Sequence, residues 1–588
     1  NNNNVGVVQN VRILNYAEYF LLSEDKQRDP TTFYVRYAYD TMRGRERPCR
    51  WPPALPGQMN KKASLEHRRP PLSFIRAAVS LLSPEEVYPE AMPASLVGLN
   101  PLESMQVLLY FSLADESIRR ETIRWGGLRH ALMYLSSEIP EISLGAARLV
   151  AVLVENLPVE VRKPGTMHDL VALSTLTPED LEGARQVGLE QALIEARECA
   201  LRIMAALLQR PSNRPGLAEA GAATAAAKSL QDALHLWPTD VALCHNCASV
   251  LLYLADGPRS LDTSLAGSGA ESATQASHSS VQQQMMTLEV TRALANLVRS
   301  TMTAPVDKME DGEEDLVLDE VVLPPEDRNI FLSAQAKGWG ALSTLLAGPS
   351  GSDAAKLCKN AGLPGILCQV LGMFAGQNIS DVSKLHPEDD PDRWIEARSA
   401  ALKCLGACAV HDELKKSLRK VSDFPSQLAG VLSQLMGKDT AAADGWFAAS
   451  ALYNKNVTLA ESFITTTASS GTLDTMKAVL EEDAMPLSTQ DTQALRLAIM
   501  QAGSSFAVYK DISQQMINRH FLRVIMKHVS DPEPVISEAA HAFLAAIATE
   551  NRKTKKKSRK TTDSPPTVGK DREGSESPPP LGNTDQEA

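Results

Sequence analysis

Apolar residues recur along this chain at helical spacing, in short bursts divided by polar or proline-bearing breaks. Leu128, Ala131 and Leu135 fall on one stripe of a helix, because residues three and four apart share a face. A polar break at 136–141 follows, and then a longer Ala/Leu/Val-rich helix around 146–154. The same order starts again at Ala223/Ala226/Leu230, Leu363/Ile366/Val370, Leu428/Val431/Leu435, Leu473/Met476/Leu480 and Leu522/Ile525/Val529. The last three begin 45 and then 49 residues apart, and the step from Leu128 to Ala223 is 95, about two such periods. A hairpin of this size has an apolar face it cannot cover alone, so it must stack on a neighbour, and a period in the forties belongs to helical solenoids. Ser530-Asp531-Pro532-Glu533-Pro534 ends one helix and begins the next, since proline is tolerated in a first turn and not inside a helix.

The phrase from Glu116 through Gly126-Gly127-Leu128 to Ala146-Ala147 and Asn156 resembles one complete armadillo repeat, and Leu294-Ala295-Asn296-Leu297 resembles the third helix of another. The resemblance covers roughly residues 100–550, with HEAT-like units an acceptable substitute. It implies an all-α fold, a right-handed α-solenoid or superhelix of short-long-long helical repeats. The register fails at Trp339/Leu342/Leu346, only 24 residues before Leu363, too close for two whole repeats.

Texture along the chain sets the domain boundaries. Residues 1–60, rich in Tyr and Phe and then in Pro, read as a capping or docking segment, because an open solenoid core needs its end hidden. Residues 61–550 read as the repeat array, with flexible insertions at 256–282 (Gly/Ser/Thr-rich), 307–327 (acidic) and 378–392. From 551 to 588 the composition turns basic and then Ser/Pro-rich, which predicts disorder.

Charge narrows the function classes. With 59 Lys+Arg against 71 Asp+Glu the net charge is −12, which argues against broad nucleic-acid binding. The exception is local: Lys553, Lys555, Lys556, Lys557, Arg559 and Lys560 are a nuclear-import signal, a tether to nucleic acid or a microtubule surface, or a solubilising tail. Ser564-Pro565 and Ser577-Pro578 beside it are candidate phosphoacceptors that would lower its charge. No apolar run approaches the ~20 residues of a membrane span.

Catalytic patterns are missing. Cys244-His245-Asn246-Cys247 is a lone CxxC without a downstream partner, so small apolar filler in a helix core is the simpler reading. The eight acids between Asp307 and Glu320 lack the D-x-D-x-D-G order of a calcium loop. There is no HExxH, phosphate loop or nucleophile elbow. No cofactor, metal or small-molecule substrate is expected, and neither is an enzyme.

In peptide-binding armadillo proteins an Asn on each third helix holds the ligand backbone. Here the resemblance matches only Asn296 to that position, against Val152, Tyr253, Ala407, Ala451 and Ala546 elsewhere. One rung disfavours an import-adaptor groove. The expectation is a cytoplasmic scaffold or adaptor, with nuclear and cytoskeletal alternatives, that binds other proteins through its concave face, with contact near Asn296, Tyr253 and Arg148. A client-binding chaperone like the myosin-directed UCS family and a ciliary or cytoskeletal docking protein with a basic tail are the alternatives.

Overall fold

The computed structural model describes residues 72–83, 99–256, 281–300, 323–376, 390–482 and 485–562, apart from 115, 156, 158, 162–163, 187, 236–239, 436–438 and 466–470. It also describes two three-residue strands, β1 (Arg12–Leu14) and β2 (Thr32–Tyr34), paired in parallel. The rest of the expected capping segment lies outside the described residues. So do almost all of the three expected insertions and everything after Thr562.

Among the described residues the remaining regular elements are helical. In order come α1 (Leu72–Ser80), α2 (Pro101–Ala114), α3 (Glu116–Arg124), α4 (Gly127–Met133), α5 (Pro140–Val154), α6 (Pro164–Ser174), α7 (Pro178–Gln186) and α8 (Glu190–Leu208). Then follow α9 (Arg214–Glu219), α10 (Ala222–His235), α11 (Val241–Ala255), α12 (Leu288–Arg299), α13 (Pro325–Ala347), α14 (Gly351–Asn360), α15 (Leu363–Gly376), α16 (Pro391–Cys408), α17 (Asp412–Leu418), α18 (Phe424–Leu435) and α19 (Ala442–Tyr453). The series ends with α20 (Val457–Thr465), α21 (Thr472–Glu481), α22 (Thr489–Phe506), α23 (Lys510–Asn518), α24 (Phe521–His528) and α25 (Pro534–Thr562).

Local chemistry sets these boundaries. Proline opens α5, α13, α16 and α25, where its missing N–H costs nothing. Reciprocal capping boxes start two others: Asn100 and Glu103 exchange bonds of 2.9 Å ahead of α2, and Ser488 pairs with Asp491 at the head of α22. The turn from a first helix into a second demands a left-handed residue. Gly126, Gly221 and Gly362 supply it with φ of 89°, 94° and 78°, a region glycine enters without a Cβ penalty.

The chain forms two compact units, Asn1–Gly503 and Ser504–Ala588, dividing within α22, where the sequence pattern predicts one array over 61–550. In the first unit, third helices stack in chain order: α2 on α5, then α8, α11, α13, α16 and α19. Second helices make a parallel row, α10 to α12 to α15 to α18 to α21. Second helices also pack on their own third helices, as α4 on α5, α10 on α11 and α18 on α19. Short first helices such as α14 and α17 pack on one another at the repeat junctions. This is an all-α solenoid of armadillo-like repeats. In the second unit α23, α24 and α25 pack mutually as one such repeat.

The core is the sum of the faces each hairpin could not cover. Leu128, Ala131 and Leu135 are buried, as are Leu363, Leu428 and Leu473, each of which starts a later apolar triplet. Burial of this kind contributes about 25 cal/mol per Å² of apolar surface. Aromatic residues plug the wider gaps: Phe463 receives Trp446 edge-on at 6.0 Å, and Phe74 meets Phe111 at 5.7 Å and 79°. The last triplet is rotated from its expected stripe. Leu522 is exposed, and Phe521, Val524, Ile525 and His528 face inward instead.

A further sequence expectation changes. Helix α12, expected to be a third helix, is a second helix: it packs on α10 and α15 in the second row and pairs with α13. Residues 301–322 stand between α12 and α13 in the sequence, so the step from this second helix to its third helix is longer than in the other repeats. Trp339 lies on that third helix, α13, so its short distance to Leu363 is the ordinary step from a third helix to the next second helix. The backbone of α25 is helical through Lys553–Lys560 to Thr562.

Candidate interaction face on the third-helix row

The third helices bury most of their circumference against neighbours and leave one stripe uncovered. On α11 the stripe holds half-buried His245, Asn246 and Tyr253; on α13 it holds half-buried Lys337; on α16 it holds exposed Ile395, Glu396 and Lys403; on α19 it holds exposed Phe447. All follow the three- and four-residue helical period.

The seams between these helices are closed by different chemistry. Between α5 and α8, Arg148 grips Glu195 with two parallel bonds, Nε to Oε1 at 2.7 Å and Nη2 to Oε2 at 2.8 Å. Glu195 is only 2% exposed, so this is a buried, fork-to-fork pair. Glu155, just past α5, draws Arg202 of α8 at 2.8 Å and Arg119 of α3 at 3.5 Å. Near α16, Asp439 takes a bond from Ser399 at 2.6 Å and an ion pair from Arg398 at 3.5 Å.

At the α11–α13 seam no carboxylate bonds the lysine among the described residues. Lys337 Nζ lies 2.6 Å from His245 Nε2 and donates to Ser249 Oγ at 2.7 Å. An ammonium can only donate, so Nε2 accepts and the imidazole is neutral with its proton on Nδ1. Burial, then the nearby Lys337 and Arg393 charges, pull the His245 pKa down to about 4, while the Asn246 hydrogen bond opposes them. Burial likewise pulls Lys337 down to about 8, with Arg393 adding to it and Glu396 opposing. Glu396 itself is held by Arg393 at 2.8 Å.

The residues expected from sequence divide accordingly. Arg148 and Tyr253 stand on third helices α5 and α11, and Arg148 is committed to Glu195. Asn296 is exposed on α12 in the second row, so the structure does not bring it together with the other two. The backbone of Lys553, Lys555, Lys556, Lys557, Arg559 and Lys560 is helical within α25; their side chains lie outside the described residues. Lys337 is absent from the residues expected from sequence, although it is the only charged residue between Asn329 and Ala347, which is a readable signal. His245 was noticed only as part of the CxxC.

The CxxC is not a reactive pair. Cys244 and Cys247 are buried on α11, and burial pushes Cys244 up to about 12 and Cys247 well above its ordinary value; such thiols stay protonated and inert. Among the described residues no group of three or more His, Cys, Asp or Glu is placed to hold a metal, and no single helix is long and apolar enough to cross a membrane.

No family model and no curated protein matches this chain. Solved structures do. SYS-1 is 11% identical over 90% of this chain and 94% of its own, with a TM-score of 0.48. An engineered protein is 15% identical over 81% and 99%, TM-score 0.43, and a designed armadillo repeat protein is 15% identical over 57% and 99%, TM-score 0.32.

Proposed function

We propose that this chain is a protein-interaction scaffold that takes its partners on the third-helix face. One observation carries the reading: the stripe on α11, α13, α16 and α19 combines Lys337, which bonds no carboxylate among the described residues, with exposed apolar anchors, Ile395 (37%) and Phe447 (40%). Such a stripe suits a partner segment that brings carboxylates to Lys337 and Lys403 and an apolar side chain to Phe447. Anchors of this type carry most of the energy of a protein interface.

The test is affinity purification of the full chain with quantitative mass spectrometry of bound proteins, against the double variant Lys403→Glu, Phe447→Asp. Both positions are exposed, so folding is retained. Specific partners should fall at least ten-fold; a partner set unchanged by the double variant overturns the reading.

The continuous helix through Lys553–Lys560 favours a second contact, with an anionic surface such as the microtubule. Salt-sensitive co-sedimentation with microtubules should then disappear on deletion of 553–560, and its survival removes the tail from the interaction.

A further inference from the structure

The repeat built on α6 and α8 differs from the others in the described chain. Where its neighbours turn directly from second to third helix, it inserts α7, fixed by a capping box in which Asp180 takes bonds from the Thr177 backbone N–H (2.9 Å) and hydroxyl (2.7 Å). α7 stands off from α6, and a cavity of about 660 Å³ opens between them, the first turns of α8 and the end of α4 in the preceding repeat. That volume lies within the usual range for ligand sites.

The cavity has an apolar floor and an acidic rim. Leu173, Leu176, Leu189 and Leu193 line it while only half-buried, so leucine surface that a neighbouring helix would normally cover faces an open space. Three carboxylates, Asp169, Glu179 and Asp180, belong to the lining, and no Lys, Arg or His does. Asp180 serves the cap, which with its hydrogen bonds to Thr177 keeps its carboxyl below the usual range. Asp169 and Glu179 form no ion pair among the described residues. The nearest arginine on the helix, Arg185, is occupied by Glu190 at 2.7 Å and Glu182 at 3.5 Å.

We infer that this cavity is a docking pocket for a partner segment that inserts a large apolar side chain, Leu, Met or Phe, with Lys or Arg within a few residues of it. The leucine floor supplies burial, and Asp169 and Glu179 select a basic flank over an acidic one. The inference deepens the scaffold reading and rests on it, but it places the contact beside the added helix α7, with a partner charge opposite to the one that suits Lys337.

Gly183 makes the test clean. It lines the cavity from α7, and a Cβ built there meets nothing within 4 Å, so Gly183→Trp fills the space without displacing the core. A random heptapeptide phage library is panned on the full chain, and enriched peptides are measured by fluorescence anisotropy against wild type, Gly183→Trp and the pair Asp169→Asn, Glu179→Gln. The expected peptides combine a large apolar residue with net positive charge. They should bind at least ten-fold more weakly to Gly183→Trp and about three- to ten-fold more weakly to the carboxylate pair. Enrichment of acidic peptides, no enrichment, or affinity indifferent to Gly183→Trp overturns the assignment. Binding of a cationic amphiphile such as dodecylamine, blocked by Gly183→Trp with no peptide enriched, assigns the pocket to small molecules and overturns it too. Peptides lost on Lys403→Glu, Phe447→Asp yet retained on Gly183→Trp remove the pocket and leave the scaffold reading standing.

Discussion

The α5–α8 and α11–α13 seams occupy equivalent places in one row of stacked third helices, and they are closed by opposite electrostatics. At the first, Arg148 and Glu195 neutralise each other through two bonds. At the second, Lys337 rests on His245 and Ser249, an ammonium against a base and a hydroxyl. A repeat array lets such places be compared directly, because geometry is held nearly constant while side chains vary. The first seam pairs two opposite charges; at the second, Lys337 bonds no carboxylate among the described residues.

Breaking the first seam has the largest expected effect. Arg148→Met leaves the Glu195 carboxylate buried and uncompensated, and unpairing a buried charge costs about 3–5 kcal/mol. Adding Glu195→Leu should return stability to within about 1–2 kcal/mol of wild type, since apolar pairs of similar volume replace buried ion pairs well. Urea denaturation of both variants measures it. A single variant that loses less than about 1 kcal/mol shows that Glu195 is rescued by water, and the contrast between the seams disappears.

The second seam should respond with the opposite sign. Below pH 8 the folded chain holds a proton on Lys337 despite burial, and this disfavours the fold. As pH rises from 8 to 10.5 the folded chain releases that proton before the unfolded chain does, so stability climbs. Lys337→Met removes the penalty and should stabilise the protein by about 1–3 kcal/mol at pH 7, a tenfold change in proton affinity being worth about 1.4 kcal/mol before screening by solvent is allowed for. Its advantage should fade by pH 10.5. On the acid side, wild type should lose stability as pH falls from 6.5 to 4, where the unfolded chain protonates His245 and the folded chain does not. His245→Gln should flatten that window. Denaturation midpoints across this pH range that run parallel for wild type and Lys337→Met would show that the lysine is solvated.

How far the sequence reveals these features depends on whether they are periodic. The apolar triplets at Leu128, Ala223, Leu363, Leu428, Leu473 and Leu522 all fall on second helices, because one stripe every forty-odd residues follows from stacking. Asn296 went astray because a sequence motif of small and apolar residues does not distinguish a second helix from a third; only the packing of α12 against α10 and α15 does. The cavity beside α7 and the Lys337–His245 contact were illegible for a different reason. The residues that meet there are far apart in sequence, Lys337 and His245 by 92 positions, and no period connects them.

A finer version of the same comparison lies in the turns between first and second helices. Gly126, Gly221 and Gly362 fill the left-handed position, and in the last repeat His520 fills it at φ 64°. A non-glycine residue there costs about 1–2 kcal/mol, while replacing it by glycine loosens the unfolded chain by about 0.4–1 kcal/mol. His520 is exposed, so little packing is at stake, and His520→Gly should gain about 0.5 kcal/mol. Gly126→Ala makes the reverse change at the equivalent place, where the added Cβ meets His130 only at ordinary contact distance, 3.4 Å; it should lose about 1–2 kcal/mol through backbone strain. Opposite signs in the two variants, read from urea midpoints, identify backbone conformation as the cause. If both substitutions destabilise, the His520 side chain contributes something its exposed setting does not show, and departures from the repeat pattern can no longer be read as stored cost at that turn.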